Sequence, residues 1–119
     1  MNYVDGYLIP VKTARKQDYI DAAAAAAPLF IEHGAIRVVE NWADDLTHGK
    51  VTDFFMAVKA EEDESVVFSW VEWPNKEARD AGNAALMADP RFAALMPDGV
   101  MIGPRMIFGG FSNLVDRGI

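Results

Sequence analysis

The chain contains no cysteine. That excludes disulfides, thiolate catalysis and thiolate-bound metals, and it is neutral on compartment. No apolar run approaches the ~18 residues of a membrane span. The opening "MNYVDGYLIPVK" has no basic start followed by an apolar stretch. A signal peptide is therefore not expected, and the cytoplasm is the expected location. Basic residues are few: 11 Lys and Arg stand against 18 Asp and Glu, a formal net charge of −7. They are scattered, with Arg15-Lys16 the one adjacent pair. Such a surface argues against nucleic acid and against anionic membranes as partners. The sequence also has no G-x-G-x-x-G, P-loop, H-E-x-x-H or G-x-S-x-G. "GGFSN" at 109–113 falls inside an expected strand, not at a strand-to-helix turn, so it is no nucleophile elbow.

What is present is an ordinary globular composition of 119 residues, 51% hydrophobic and 24% charged. That length suits one domain, 1–119, with no linker dividing it. "YVDGYLIPV", 3–11, reads as a strand with Pro10 near its end. "ARKQDYIDAAAAAAPLFIEHG", 14–34, reads as a helix with Tyr19, Ala23, Ala26, Ala27, Phe30 and Ile31 at helical spacing. Pro28 should kink its last turns and Gly34 should stop it. "AIRVVENWA", 35–43, is a second strand. Val51, Phe54, Phe55 and Val58 predict a short helix capped by Thr52 or Asp53, with a short strand as the alternative. "SVVFSWVEW", 65–73, is a third strand, ended by Pro74. Asn75 caps a helix over 76–88 whose inner face is Ala78, Ala81, Ala85 and Leu86. Asp89-Pro90 opens a second short helix over "PRFAALM". "RMIFGGFSNLV", 105–115, is the last strand, where Gly109-Gly110 marks a bulge or a close backbone approach.

The order β-α-β-(short α)-β-α-(short α)-β is the ferredoxin-like α+β pattern, βαββαβ with an antiparallel sheet. In that fold the helices cover one sheet face, and the other should alternate with polar residues. The third and fourth strands break this rule. Phe68 and Trp70 oppose Val71 and Trp73, and Met106 and Phe108 oppose Ile107 and Phe111. A second copy of the sheet is the simplest cover for the open face. The expectation is a homodimer through sheet faces.

Two stretches, "DESVVFSWVEWPNKEARDAGNAALMADPRF" (63–92) and "RMIFGGFSNLVD" (105–116), resemble the YbaA-like family of uncharacterised bacterial proteins. "YVDGYLIPV" and "HGA…VVENWADDLTHGKVTDFFMAVKA" match its pattern as well, so the resemblance covers nearly the whole chain. It implies a dimeric α+β barrel, the superfamily that includes antibiotic-biosynthesis monooxygenases, muconolactone isomerase-like enzymes and stress-response barrel proteins. It implies no activity.

"DDLTHGKVTDFF", 44–55, brings Asp44, Asp45, His48 and Asp53 into ten residues. Those are metal-ligand types, but one histidine and no recognised spacing give a weak site. "THGK" is also plain turn chemistry, so no metal is expected and Asp44, Asp45 and His48 are only weak candidates. His33 ends the first helix, where a cation suits the negative end of the dipole. Trp42, Trp70 and Trp73, with Tyr3, Tyr7 and Phe68, could line a flat pocket for an aromatic ligand. Asp5, Glu40 and Arg105 would be its polar groups if strand parity turns them inward. The competing reading packs the same rings in the core and dimer interface. Glu72 shares a predicted face with Trp70, where an apolar setting would raise its pKa and fit it for acid–base work. A solvated strand end is the alternative. Arg79 could hold a carboxylate or phosphate by its fork, or fix its own helix.

No catalytic residue and no cofactor are assigned. Three functions fit the residues. One is a small-molecule-binding or stress-related barrel. The second is a cofactor-independent monooxygenase- or isomerase-like enzyme acting on an aromatic or polyketide-like molecule. The third is an interaction protein whose partner docks on the acidic loop.

Overall fold

A computed structural model describes residues 2–119. The chain runs through strand β1 (Tyr3–Lys12), helix α1 (Lys16–Glu32), strand β2 (Arg37–Trp42), helix α2 (Phe54–Ala57), strand β3 (Glu64–Trp73), helices α3 (Lys76–Ala88) and α4 (Pro90–Ala93), and strand β4 (Ile107–Ser112). The strands form one sheet in the order β2-β3-β1-β4, each neighbour antiparallel. This is the expected βαββαβ arrangement.

Short polar side chains start the helices. Asn75 accepts the Ala78 amide at 2.8 Å and opens α3. Asp89 accepts the Arg91 amide at 2.9 Å and opens α4, with Pro90 at the first helical position. Asp53, rather than Thr52, accepts the Met56 amide at 2.6 Å and opens α2. Each satisfies an amide that has no partner inside its helix.

The register fixes the two faces of the sheet. Asp5, Tyr7, Ile9 and Val11 of β1 share the helix side with Val67, Ser69, Val71 and Trp73 of β3. Val38, Glu40 and Trp42 of β2 lie there too. Under the first turns of α1, Ile9, Val11, Tyr19, Val67 and Val100 form one core cluster. Under its end and α3, Ala35, Val71, Trp73 and Leu86 form a second, with Leu29, Phe30 and Phe92 against it. Gly82 lets α3 sit on Trp73: a Cβ there would fall 2.3 Å from the indole ring and 2.7 Å from the His33 carbonyl. Gly110 serves Arg79 and Tyr3 in the same way, since a Cβ would lie 2.3 Å from each side chain. The β1–β4 register is unbroken through both glycines. The close-approach reading therefore holds at Gly110, and the bulge does not.

Several boundaries differ from the sequence reading. β4 begins at Ile107, because Gly103–Arg105 forms a 3-10 turn on Pro104 that takes Arg105 out of the strand. Residues 13–15 form a 3-10 turn ahead of α1, and α1 runs through Pro28 to Glu32. α2 is only four residues, and Val51 is exposed rather than part of its apolar face. α4 ends at Ala93. Gly82 and Leu86 are the buried positions of α3, and Ala81 faces solvent.

Candidate functional site

The sheet separates the residues expected to meet in one aromatic pocket. Tyr3, Tyr7, Glu40, Trp42 and Trp73 lie on the helix side, whereas Phe68, Trp70 and Glu72 lie on the open side. A single pocket built from both sets is ruled out by strand parity, which sends successive side chains to opposite faces. Two smaller assemblies replace it.

The first is a groove of about 430 Å³ between α1 and the edge strand β2. Ile20, Ala23, Ala24 and Ala27 form the helix wall, and Val38, Trp42 and Val67 the sheet wall. The alanine tract leaves the space that larger side chains would fill. Lys16 holds its ammonium 5.1 Å from the centre of the Trp42 ring at one side. Glu40 is the acidic group. The Tyr19 hydroxyl donates to its Oε1, and the Ser69 hydroxyl donates to its Oε2 at 2.9 Å. Glu40 as a residue remains exposed along the groove's open side, but partial desolvation of its carboxylate raises the pKa above the usual glutamate value, and the two hydrogen bonds pull it partly back. Burial and the neighbouring Glu40 charge hold the Tyr19 phenol protonated well beyond its ordinary range. Tyr19 therefore remains a donor to Glu40 at every physiological pH.

Tyr19, Ser69 and Lys16 were not among the sequence candidates. A usable signal existed for Ser69: it is the one polar residue in the buried series Val67, Ser69, Val71, Trp73. A lone hydroxyl on a buried face needs a partner, and Glu40 is its cross-strand neighbour.

The second assembly is a shallow basin of about 840 Å³ on the open face, bordered by Phe68, Trp70, Ile107 and Phe111. Phe54 of α2 stacks on Phe68 with ring centroids 6.3 Å apart. Glu72 is half-buried here, accepting the Trp70 indole N–H at 3.0 Å and facing Arg37 at 4.0 Å. It is neither in open water nor in a sealed apolar pocket.

The remaining candidates are committed to the fold. Tyr7, on the helix side, stacks on Phe108, and burial followed by the Asp5 charge pushes its phenol up to about 12. Arg79 donates to the Tyr3 hydroxyl at 2.8 Å, lies over the Tyr3 ring and stands 3.4 Å from buried Asp5. Asp5 also accepts the Trp73 indole at 3.1 Å and the Asn83 amide at 3.2 Å. Arg79 thus ties α3 to β1, and it also pairs with Asp80 of its own helix at 3.3 Å. Arg105 grips buried Glu64 through two bonds of 2.7 and 2.6 Å and donates to the Lys59 carbonyl at 2.7 Å. It belongs to no aromatic pocket.

The acidic loop does not converge. Asp44 and Asp45 are exposed, Asp53 is spent on its cap and the Gly49 amide, and His48 stacks flat on Phe55. Two other groups do bring ligand-type atoms together: Glu32, His33 and Asp89, and Glu61, Asp63 and Glu64. Each is already paired with protein cations. Arg91 bridges Glu32 and Asp89, while Lys12 and Arg105 serve the second group. His33 does close α1, and its ring also reaches Asp89 at 3.0 Å.

Topology, sheet order and helix placement define a ferredoxin-like α+β protein. A crystallised dimeric ferredoxin-like protein from an uncultured marine organism superposes with a TM-score of 0.55 at 14% identity, over 100% of both chains. More specifically, residues 2–102 match the family described as "Protein of unknown function (DUF1428)", and the chain belongs to that family. It is 54% identical over 117 residues to "Uncharacterized protein YbaA" of Escherichia coli strain K12, covering 98% of this chain and 100% of that one. The protein of that name from Shigella flexneri matches equally, at 54% over 117 residues. The resemblance read from the sequence is borne out. Among the described residues, no helix is long and apolar enough to cross a membrane.

Proposed function

We propose that the protein binds a small, largely apolar molecule in the α1–β2 groove of each subunit of a homodimer. Glu40 recognises a hydrogen-bonding group on that ligand. The carrying observation is the Glu40 carboxylate, oriented by Tyr19 and Ser69 at the side of a largely apolar groove. Ligand pockets commonly occupy about 300–1,000 Å³, with a few placed polar groups in apolar walls. A carboxylate that has accepted one bond per oxygen still keeps lone pairs for a ligand donor.

The open face supports the dimer. Phe68, Ile107 and Phe111 are 48%, 46% and 61% exposed on one side of the sheet, a patch that a matching sheet would bury. The crystallised neighbour is itself described as dimeric. A second reading makes the same groove the active site of a cofactor-independent isomerase- or monooxygenase-like enzyme. It is favoured by the raised Glu40 pKa, which makes the carboxylate a stronger base than an open glutamate.

Native mass spectrometry of gently purified protein, followed by denaturing release, tests the first reading. The expected result is a dimer carrying a reproducible small mass that Glu40→Gln and Ala24→Trp both lose. An empty wild-type dimer, or a mass that both variants retain, would sink the groove as the site.

A further inference from the structure

Two features of the open face bear on the contact between copies. One is a row of paired residues, Arg37, Glu72, Val4 and Phe111, crossing the sheet from β2 to β4 at one end. Its β2–β3 corner carries a plus-then-minus pair, Arg37 and Glu72. The other is the segment that leaves β4. The Asn113 amide donates to the Asn2 carbonyl at 3.1 Å, and beyond it Leu114 and Val115 stand 83% and 86% exposed. Asp116 and Arg117 follow, a minus-then-plus pair that borders the same open-face basin as Arg37 and Glu72 of its own chain but forms no ion pair among the described residues.

We propose that residues 114–119 of each copy dock across the open face of the other, Asp116 meeting the partner's Arg37 and Arg117 meeting the partner's Glu72. The inference rests on the sheet-to-sheet dimer put forward above and specifies its geometry. A two-fold axis along the strands lays β2 of one copy over β4 of the other and leaves each row at its own end. The segment that leaves β4 after Ser112 then starts one residue past Phe111, across from the partner's Arg37. An axis perpendicular to the strands would lay β2 on β2 and carry the row to the far end, away from the segment. The order of charges selects the first arrangement. Reach permits it: four extended residues span about 13 Å, more than the about 10 Å between packed sheets.

The lack of cysteine makes the test direct. Arg37→Cys and Asp116→Cys variants, given tags of different mass, are mixed, allowed to exchange subunits and oxidised with diamide. Because the cysteines sit on different chains, a mixed disulfide reports contact between copies only. The expected product is the mixed dimer, in excess of either self-linked species and of a mixture in which Lys50→Cys replaces Arg37→Cys. In parallel, a chain ending at Asn113 should dimerise about tenfold more weakly, the loss of the rim ion pairs. A wild-type dimer without the mixed disulfide, or a shortened chain with an unchanged dissociation constant, overturns the docked segment and leaves the sheet dimer standing. A wild-type chain that is monomeric at micromolar concentration overturns both.

Discussion

Two side chains set opposite responses to pH. Glu64 is buried, and the Arg105 hydrogen bonds hold its carboxyl down to about 2 from 4.5. A depressed carboxyl pKa stabilises the fold above the unfolded value, and that contribution is lost as pH falls through the folded one. Urea unfolding should therefore lose free energy between pH 4.5 and about 2, and Glu64→Gln should make that acid limb less steep, leaving the share of Asp89, whose carboxyl Arg91 and His33 also hold down. An unaltered slope in the variant would place the acid sensitivity elsewhere. Glu40 has the opposite sign: its pKa is raised, so its contribution is complete below 4.5 and is lost as pH climbs through the folded value. At Gly82 the argument is steric. Trp73 is fully buried and the His33 carbonyl belongs to the backbone, so neither gives way to a methyl group. Gly82→Ala should cost about 1–3 kcal/mol in the same unfolding assay, the usual penalty of overpacking. A loss near zero would mean that α3 can slide off the indole.

Elements were more legible than the contacts between them. Asn75 and Asp89 could be placed as caps because a cap depends on three or four consecutive residues. Asn75→Ala should accordingly lower stability by about 1 kcal/mol, read as a shift of the urea midpoint with an unchanged slope. A shift no larger than that of an exposed control such as Glu77→Ala would show that the Ala78 amide finds water at no cost. The four strands and both long helices were likewise readable from period two and period 3.6. The site was not, because parity within a strand does not say which face a neighbouring strand aligns with it. Trp42 and Trp70 look equivalent until the β2–β3 register puts Val39, not Trp42, beside Trp70. Arg105 escaped for a different reason. Its bend depends on Gly103 and Pro104, which lie just before the run that looked like strand, and its partner Glu64 lies 41 residues away.

At the scale of the molecule, apolar residues on both sides of the sheet decide the assembly. Ile107 lies on the open side of an edge strand, paired with Leu8 and 46% exposed. Ile107→Asp puts a charge where the two sheets would meet, at little cost to a lone subunit. Light scattering should give twice the chain mass for the wild type and the single chain mass for the variant, with the circular dichroism of the two alike. Equal masses for both proteins would remove the open face as the contact.

Helix α1 carries Pro28 within its span. Proline has no amide hydrogen, so the Ala24 carbonyl receives no bond from within the helix and the ladder is interrupted once. The interruption falls between two neighbourhoods. Leu29 and Phe30, after it, pack against Trp73, whereas the residues before it, Lys16 to Ala27, border the groove. The helix is thus two segments joined at a seam, each with its own anchor: Tyr19 and Ala22 are buried ahead of Pro28, and Leu29 and Phe30 pack on the second core cluster behind it. Amide exchange should mark that seam, slower in the stretch anchored by buried Tyr19 and Ala22 and faster in the last turn behind Pro28, where Ile31 and Glu32 are exposed.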